Sequence, residues 1–347
     1  MTALNTQRKF FLVALGSFIA GLLLAAVGIG VFHVGSQATS PKALRESDIP
    51  TAQSEYKFID PLIGLKGTLN TAKYTVMQQR VVSFISDQQN NDLITATVYF
   101  RDIHESGGFD TNPSELFTPA SLNKVPVMMA YYKIAESDAS ILSDMLTYTG
   151  TKNSNAIEDI KSAVQLTPGA SYSVSQLIEH MIRYSDNNAA DLLTQHLSDT
   201  NHLSDYEGVF NDLGVNSDAI RLFSDTITAQ QYAIFLRALY NATYLDRTDS
   251  ERAMKLLSET DFSEGIESGV PNDIPVAQKF GEVRLIDTKG TVLGKELNNC
   301  GIIYYPGHPY LLCIMLKGKG NDVKSLETQA AALSRIIFEQ VEILYPR

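Results

Sequence analysis

Phe117-Thr118-Pro119-Ala120-Ser121-Leu122-Asn123-Lys124-Val125-Pro126 is the stretch on which the reading of this chain turns. Val125, Val127, Met128, Met129 and Tyr131 follow, apolar nearly all round, which predicts a buried helix opening just after Pro119-Ala120. Ser121 then falls at its first turn, where free N–H groups and the positive dipole end favour developing negative charge. Lys124 lies three residues on, on the same face, within reach of the Ser121 hydroxyl. A desolvated lysine has a lowered pKa and can take that proton near neutrality. Alone, the pair reads more readily as a capping serine and a surface lysine. Ser54-Glu55-Tyr56-Lys57 repeats the pattern in a polar stretch, where it carries no chemistry.

Two later words change the weight of the first. Ser185-Asp186-Asn187 stands between an apolar helix (Leu177, Ile178, Met181, Ile182) and another opening with Ala189, Ala190, Leu192 and Leu193. Its serine can relay a proton and its asparagine amide can hold a carbonyl, though polar residues at such a turn also cap helices. Lys279-Phe280-Gly281 lies on a predicted strand after Val276-Ala277-Gln278. Lys279 can attract a carboxylate and Gly281 permits close approach of an extended substrate; taken alone, an edge-strand lysine is more often a guard against aggregation. The three words together supply what acyl transfer through a serine ester needs.

The flanks complete an α/β pattern. Tyr74, Met77, Val81, Phe84 and Ile85 mark one face of a first helix, and Ile94, Ala96, Val98 and Phe100 alternate as in a half-buried strand. Gly107-Gly108 suggests a hairpin return toward Phe117. From Ser121 to about Thr260 the pattern is almost wholly helical. Strand-like runs follow over Val276–Ile286 and Cys300–Lys317, the second broken by Pro306-Gly307-His308-Pro309. Leu326, Ala330, Leu333, Ile337 and Val341 mark a last helix.

Phe10 to Phe32 is an unbroken run of 23 uncharged, mostly apolar residues, preceded by Arg8 and Lys9. As a helix it spans roughly 34 Å, enough for a bilayer core, with the short N-terminus cytoplasmic and the rest exported. It is long for a signal-peptide core, and no clear small-x-small site follows, which favours an uncleaved anchor. The expected organisation is a cytoplasmic segment 1–9, a transmembrane anchor 10–32, an extracytoplasmic tether 33–70 and a domain 71–347, with a helical lobe at about 121–260. Of 347 residues, 28 are basic and 39 acidic, for a net charge of −11, which argues against nucleic acid as a partner. The six histidines are scattered and Cys300 and Cys313 are the only cysteines, so no metal-ligand spacing is present and no cofactor is expected.

Over roughly residues 71–347 the chain resembles the penicillin-recognising serine hydrolases, most closely the class A β-lactamases. Phe117-Thr118-Pro119-Ala120-Ser121 with Lys124-Val125-Pro126, Tyr184-Ser185-Asp186-Asn187 with Ala189-Ala190, and Val276-Ala277 before Lys279 carry the resemblance. It implies a three-layer sandwich, an antiparallel sheet covered by helices, with an all-helical lobe and the site between. It implies Ser121 as nucleophile, Lys124 as its base and Ser185 as proton shuttle. Asn187, Lys279 and Gly281 would bind substrate, and the N–H groups of Ser121 and Glu282 would form an oxyanion hole.

The sequence departs from the family pattern in three places. The family's Glu-x-x-Leu-Asn word, whose glutamate activates the deacylating water, is missing. Arg221-Leu222 runs almost directly into Asp225-Thr226-Ile227-Thr228, and no glutamate occurs between Glu207 and Glu251. Asp218 and Asp225 are the nearest carboxylates. Phe280 stands where the family has Thr or Ser, and Glu282 adds a charge beside the oxyanion site that the resemblance does not account for.

Cys300 and Cys313 lie almost symmetrically about Pro306-Gly307, so a hairpin there would set them opposite, as a disulfide or as two buried thiols. The expectation is a membrane-anchored, extracytoplasmic serine hydrolase of a bacterial envelope, forming an acyl-enzyme on β-lactams or related amides. A D-alanyl-D-alanine carboxypeptidase or transpeptidase acting on peptidoglycan peptide, and a non-catalytic envelope-binding or sensor domain, stay open beside it.

Overall fold

Alternation along Tyr310–Lys319 (β7) shows how the molecule is layered. Leu311, Cys313 and Met315 belong to one apolar cluster, and Leu312, Ile314 and Leu316 to another on the opposite face of the strand. Both faces are therefore covered. The computed structural model describes residues 56–61, 71–105, 107–162, 164–215, 226–286, 291–320 and 322–347. The predicted anchor, most of the tether and the 216–225 segment with Asp218 and Asp225 lie outside them.

β7 is the middle of a five-stranded antiparallel sheet. In spatial order its strands are Gly108–Asp110 (β2), Leu93–Asp102 (β1), β7, Val292–Ile303 (β6) and Val276–Ile286 (β5). Helix Thr75–Gln89 (α1) and the C-terminal helix Val323–Leu344 (α8) cover one face, burying Met77, Val81, Leu326, Leu333 and Ile337. The other face meets a helical lobe. That lobe comprises Lys124–Ala135 (α2), Val174–Arg183 (α3), Asn187–Asp199 (α4), Leu203–Asp212 (α5), Ala229–Tyr240 (α6) and Arg247–Leu257 (α7). The predicted sandwich with its helical lobe is what forms.

The sequence expectation is corrected at three points. The middle of the chain is not wholly helical: Met145–Thr147 (β3) and Ser171–Ser173 (β4) pair as a small hairpin, and residues 148–170 between them are mostly irregular. β6 begins at Val292, well before Cys300; the part before Cys300 holds Gly294, Lys295, Glu296, Asn298 and Asn299, whose polarity hides the strand signal. The polar residues are buried nonetheless, and two of them, Glu296 and Asn298, bond Thr118 in the segment leading into Ser121. Last, the stretch read as tether is partly folded onto the domain. Phe58 and Ile59 are buried, the N–H groups of Lys57 and Phe58 donate to the Glu251 carboxylate, and Tyr304 Oη donates to Phe58 O. The domain boundary at 71 is too late.

Cys300 and Cys313 are cross-strand partners in the β6–β7 register and are joined by a disulfide. Among the described residues no helix is long and apolar enough to cross a membrane.

Candidate active site

Ser121 sits on a single 3-10 turn, Ala120–Asn123, that runs straight into α2. Long-range contacts set this turn. Thr118 N donates to the buried Glu296 carboxylate at 2.8 Å, Asn298 Nδ2 donates to Thr118 O at 2.7 Å, and Tyr232 Oη donates to Leu122 O at 3.2 Å. Phe117 and Ile227 exchange both backbone hydrogen bonds as an isolated bridge. Ala120, the residue before the serine, is held at φ +50°, a left-handed conformation that costs an L-residue on the order of 1 kcal/mol. A turn tied down on both sides can keep that strain.

Lys124, at the start of α2 and on the same cavity as Ser121, is 1% exposed. Its Nζ donates to Ser185 O at 2.5 Å, Ser185 Oγ at 3.2 Å and Asn187 Oδ1 at 2.6 Å. Ser121 Oγ has no hydrogen-bond partner among the described residues and faces the cavity. Burial brings the Lys124 pKa down to about 8, against the attraction of Glu158, Asp186 and Asp191. An amine poised there is partly neutral at physiological pH.

The second word forms the link between α3 and α4. Asp186 caps α4, accepting from the N–H groups of Asn188 and Ala189, and also from Asn155 Nδ2 and Leu166 N. Burial alone would raise its pKa; the nearby His180 ring, 3.8 Å away, and the hydrogen bonds from Asn155 and the backbone hold it below the ordinary value instead. Ser185 is at φ +51°, the second strained non-glycine at the site. Its Oγ accepts Lys279 Nζ at 2.8 Å as well as Lys124 Nζ. A hydroxyl has two lone pairs and one proton. With both ammoniums as donors, the Ser185 proton is left to point away from them.

Lys279 and Gly281 share one face of β5 with Ala277, which packs into the helical-lobe cluster; Val276 and Phe280 are on the other. Phe280 therefore does not line the cavity. Its ring stacks on Phe262 with centroids 4.0 Å apart, and Lys279 Nζ lies 4.3 Å from its centroid. Lys279 is fully buried, and burial together with the Lys124 charge pushes its pKa well down. Gly281 abuts the Ser121 turn: a Cβ there would lie 2.7 Å from Pro119 O and 2.9 Å from Ser121 N. β5 is an edge strand, so every second N–H points away from β6.

Two features were beyond sequence reasoning. Glu282 Oε1 accepts the backbone N–H groups of Asp159 and Ile160, each at 2.7 Å, which accounts for its presence. It ties β5 to the irregular segment between β3 and β4. That segment delivers Glu158, whose Oε1 accepts Asn187 Nδ2 at 2.7 Å. The Asn187 amide, expected to meet substrate, is thus engaged on both ends, with Nδ2 also 3.3 Å from Ser154 O. No motif marks Glu158; the only sequence signal was the polar composition of 152–159. Ser121, Lys124, Glu158, Asn187 and Glu282 open on one cavity of about 590 Å³, with Ala120, Ile157 and Val283 in its walls. Among the described residues no cluster of His, Cys, Asp and Glu is placed to hold a metal ion.

A nucleophile-bearing turn followed by a buried lysine, between a sheet edge and a helical lobe, defines a serine hydrolase of the β-lactamase and transpeptidase class. A sequence model of the beta-lactamase enzyme family matches residues 78–341, and the chain belongs to that family. The extended-spectrum beta-lactamase PER-1 of Pseudomonas aeruginosa is 25% identical over 244 residues, covering 66% of this chain and 76% of that protein. The structure of PBP-A superposes with a TM-score of 0.63 at 19% identity, over 83% of this chain and 99% of that one. A PBP-A variant solved as an acyl-enzyme complex with penicillin G gives 0.63 at 20% identity, over 78% and 97%. At these identities the two structures speak to the fold alone.

Proposed function

We propose that Ser121 is the nucleophile of an acyl-enzyme hydrolase acting on β-lactams or related amides, with its domain held outside the cytoplasmic membrane by residues 10–32. The observation that carries this reading is the buried Lys124, its pKa near 8, on the same cavity as a Ser121 hydroxyl that has no partner among the described residues. Neutral Lys124 takes the hydroxyl proton as Oγ attacks the carbonyl carbon. The N–H groups of Ser121 and Glu282 receive the developing oxyanion, on the edge that Gly281 brings against the turn. Ser185, holding both lysines as donors, passes a proton to the leaving nitrogen. Lys279, buried behind Ser185 with its proton affinity lowered, acts through its hydrogen bond to the Ser185 hydroxyl, not by direct contact with a substrate carboxylate. Asn187 orients Lys124, and a substrate carbonyl would replace its longer bond to Ser154 O. The disulfide fits an oxidising compartment, in keeping with export.

One observation favours a second substrate class. No glutamate lies between Glu207 and Glu251, where the family places its deacylating residue, and an acyl-enzyme without such a base persists. That suits a D-alanyl-D-alanine carboxypeptidase or transpeptidase of peptidoglycan, for which β-lactams are inhibitors.

The experiment is labelling with a fluorescent penicillin, run beside a chromogenic cephalosporin assay and a D-alanine release assay. Label is expected on Ser121, absent in Ser121→Ala, with turnover in one of the two assays. A folded protein that takes no label and turns over neither substrate would leave the non-catalytic binding domain as the surviving reading.

A further inference from the structure

Four carboxylates border the cavity: Glu158, Asp159, Asp191 and Glu282. Three are committed elsewhere. Asp159 is paired with Arg284 at 2.9 Å and Lys295 at 2.5 Å. Asp191 Oδ2 accepts Lys152 Nζ at 2.7 Å and Ser154 Oγ at 2.6 Å. Glu282 is bound to two backbone N–H groups. Glu158 differs from all three in accepting a single hydrogen bond, where each of the others accepts at least two. Among the described residues its side chain has one hydrogen bond, from Asn187 to Oε1, and its Oε2 has no partner.

The position is also built rather than incidental. Glu282 holds the two residues that follow Glu158. On the other side, Asn188 Oδ1 accepts Ser154 N at 2.7 Å and Asn155 Oδ1 accepts Asn187 N at 2.7 Å. Both anchors belong to the elements that carry the second and third catalytic words. Glu158 is the carboxylate whose charge acts on both buried ammoniums, Lys124 and Lys279.

We infer that Glu158 is the base that hydrolyses the acyl-enzyme, activating the water that attacks the Ser121 ester. The inference rests on the acyl-enzyme reading above and deepens it. In the step, a water oxygen bonds to the ester carbonyl carbon while its proton passes to the Glu158 carboxylate. The carbonyl electron pair moves onto oxygen, in the oxyanion hole. On collapse the bond from the carbon to Ser121 Oγ breaks. Oγ takes up the proton held by Glu158, relayed through Lys124, and the product leaves as a carboxylic acid. Half-burial raises the Glu158 carboxyl above the ordinary range, against the pull of Lys124, Lys279 and the Asn187 amide, so it is a stronger base than an exposed glutamate. The residue comes from the segment before Ser185, on the opposite side in sequence from the missing family glutamate, which is why no motif search finds it.

A pulse of fluorescent penicillin followed by an unlabelled chase separates acylation from release in the full chain. Glu158→Gln is expected still to label Ser121, and to release the adduct about a hundredfold more slowly, the usual contribution of a general base; any change in its labelling rate, through Lys124 and Asn187, is scored separately from release. Wild-type release should rise with pH through the Glu158 titration and be flat in Glu158→Gln. Should that variant fail to fold, Glu158→Asp is expected to slow release at least fivefold while keeping the pH dependence. Slowing under tenfold in Glu158→Gln, release at the wild-type rate in Glu158→Asp, or a wild-type adduct that never releases, each overturns the assignment with Ser121 untouched. A wild type that takes no label instead removes the acyl-enzyme reading, and Glu158 with it.

Discussion

Replacing Lys124 with methionine separates the energetic burden of the site from its chemistry. Nearly all of this side chain is out of water, and desolvation moves its pKa from the ordinary 10.5 to about 8. That fall corresponds to about 3 kcal/mol of native-state destabilisation at neutral pH, at 1.36 kcal/mol per tenfold change in proton affinity. Below pH 8 the amine is protonated in both native and unfolded chains, and the native state bears the full penalty. Between pH 8 and 10.5 the unfolded chain keeps a proton that the native protein has released, so stability rises with pH. Above 10.5 both are neutral and the penalty is gone. Lys124→Met has no such titration. It orphans Ser185 O and Asn187 Oδ1, which shifts its stability by a pH-independent amount. It also relieves Lys279 of a neighbouring charge, which adds to the same trend. Urea unfolding of both proteins from pH 7.5 to 10.5 should show the difference moving toward wild type by about 3 kcal/mol. A difference that stays constant within 1 kcal/mol would refute the claim of a desolvated ammonium. The wild-type acylation rate should climb with pH through about 8 and then level off, and Lys124→Met should acylate at least a hundredfold more slowly.

Gly281→Ala drives a methyl group against Pro119 O and Ser121 N, neither of which can move without the turn. Penicillin labelling should fall at least a hundredfold, with about 1–3 kcal/mol lost from the thermal or urea unfolding free energy; labelling at the wild-type rate would mean that β5 does not abut the nucleophile. The proposed anchor predicts that the full chain resists alkaline carbonate extraction from membranes and that a chain starting at residue 33 is soluble. Release of the full chain by carbonate would exclude a spanning helix.

Several parts of this protein were legible because their signal is local. The helical faces of α1 and α8, the alternation in β1, β5 and β7, and the symmetric placing of Cys300 and Cys313 about Pro306-Gly307 are repeats of 3.6 or 2 written along a few residues. Val292–Asn299 was not legible, since a strand whose buried side chains are Lys295, Glu296, Asn298 and Asn299 lacks the apolar pattern by which strands are found. The start of the folded part was misplaced for a similar reason: Phe58 and Ile59 are only two apolar residues, and what holds them is a carboxylate nearly two hundred positions away.

Residue types alone determined that a serine, two lysines and an amide stand ready for acyl transfer, because the three words name their own chemistry. Only tertiary packing decided how they are wired. Lys124 binds the Ser185–Asn187 link, Phe280 turns to the far side of the sheet, and Glu158 arrives from a segment with no period at all. A side chain's direction and pKa depend on which distant backbone comes to lie beside it and how much water that contact removes. Neither is encoded by spacing along the chain.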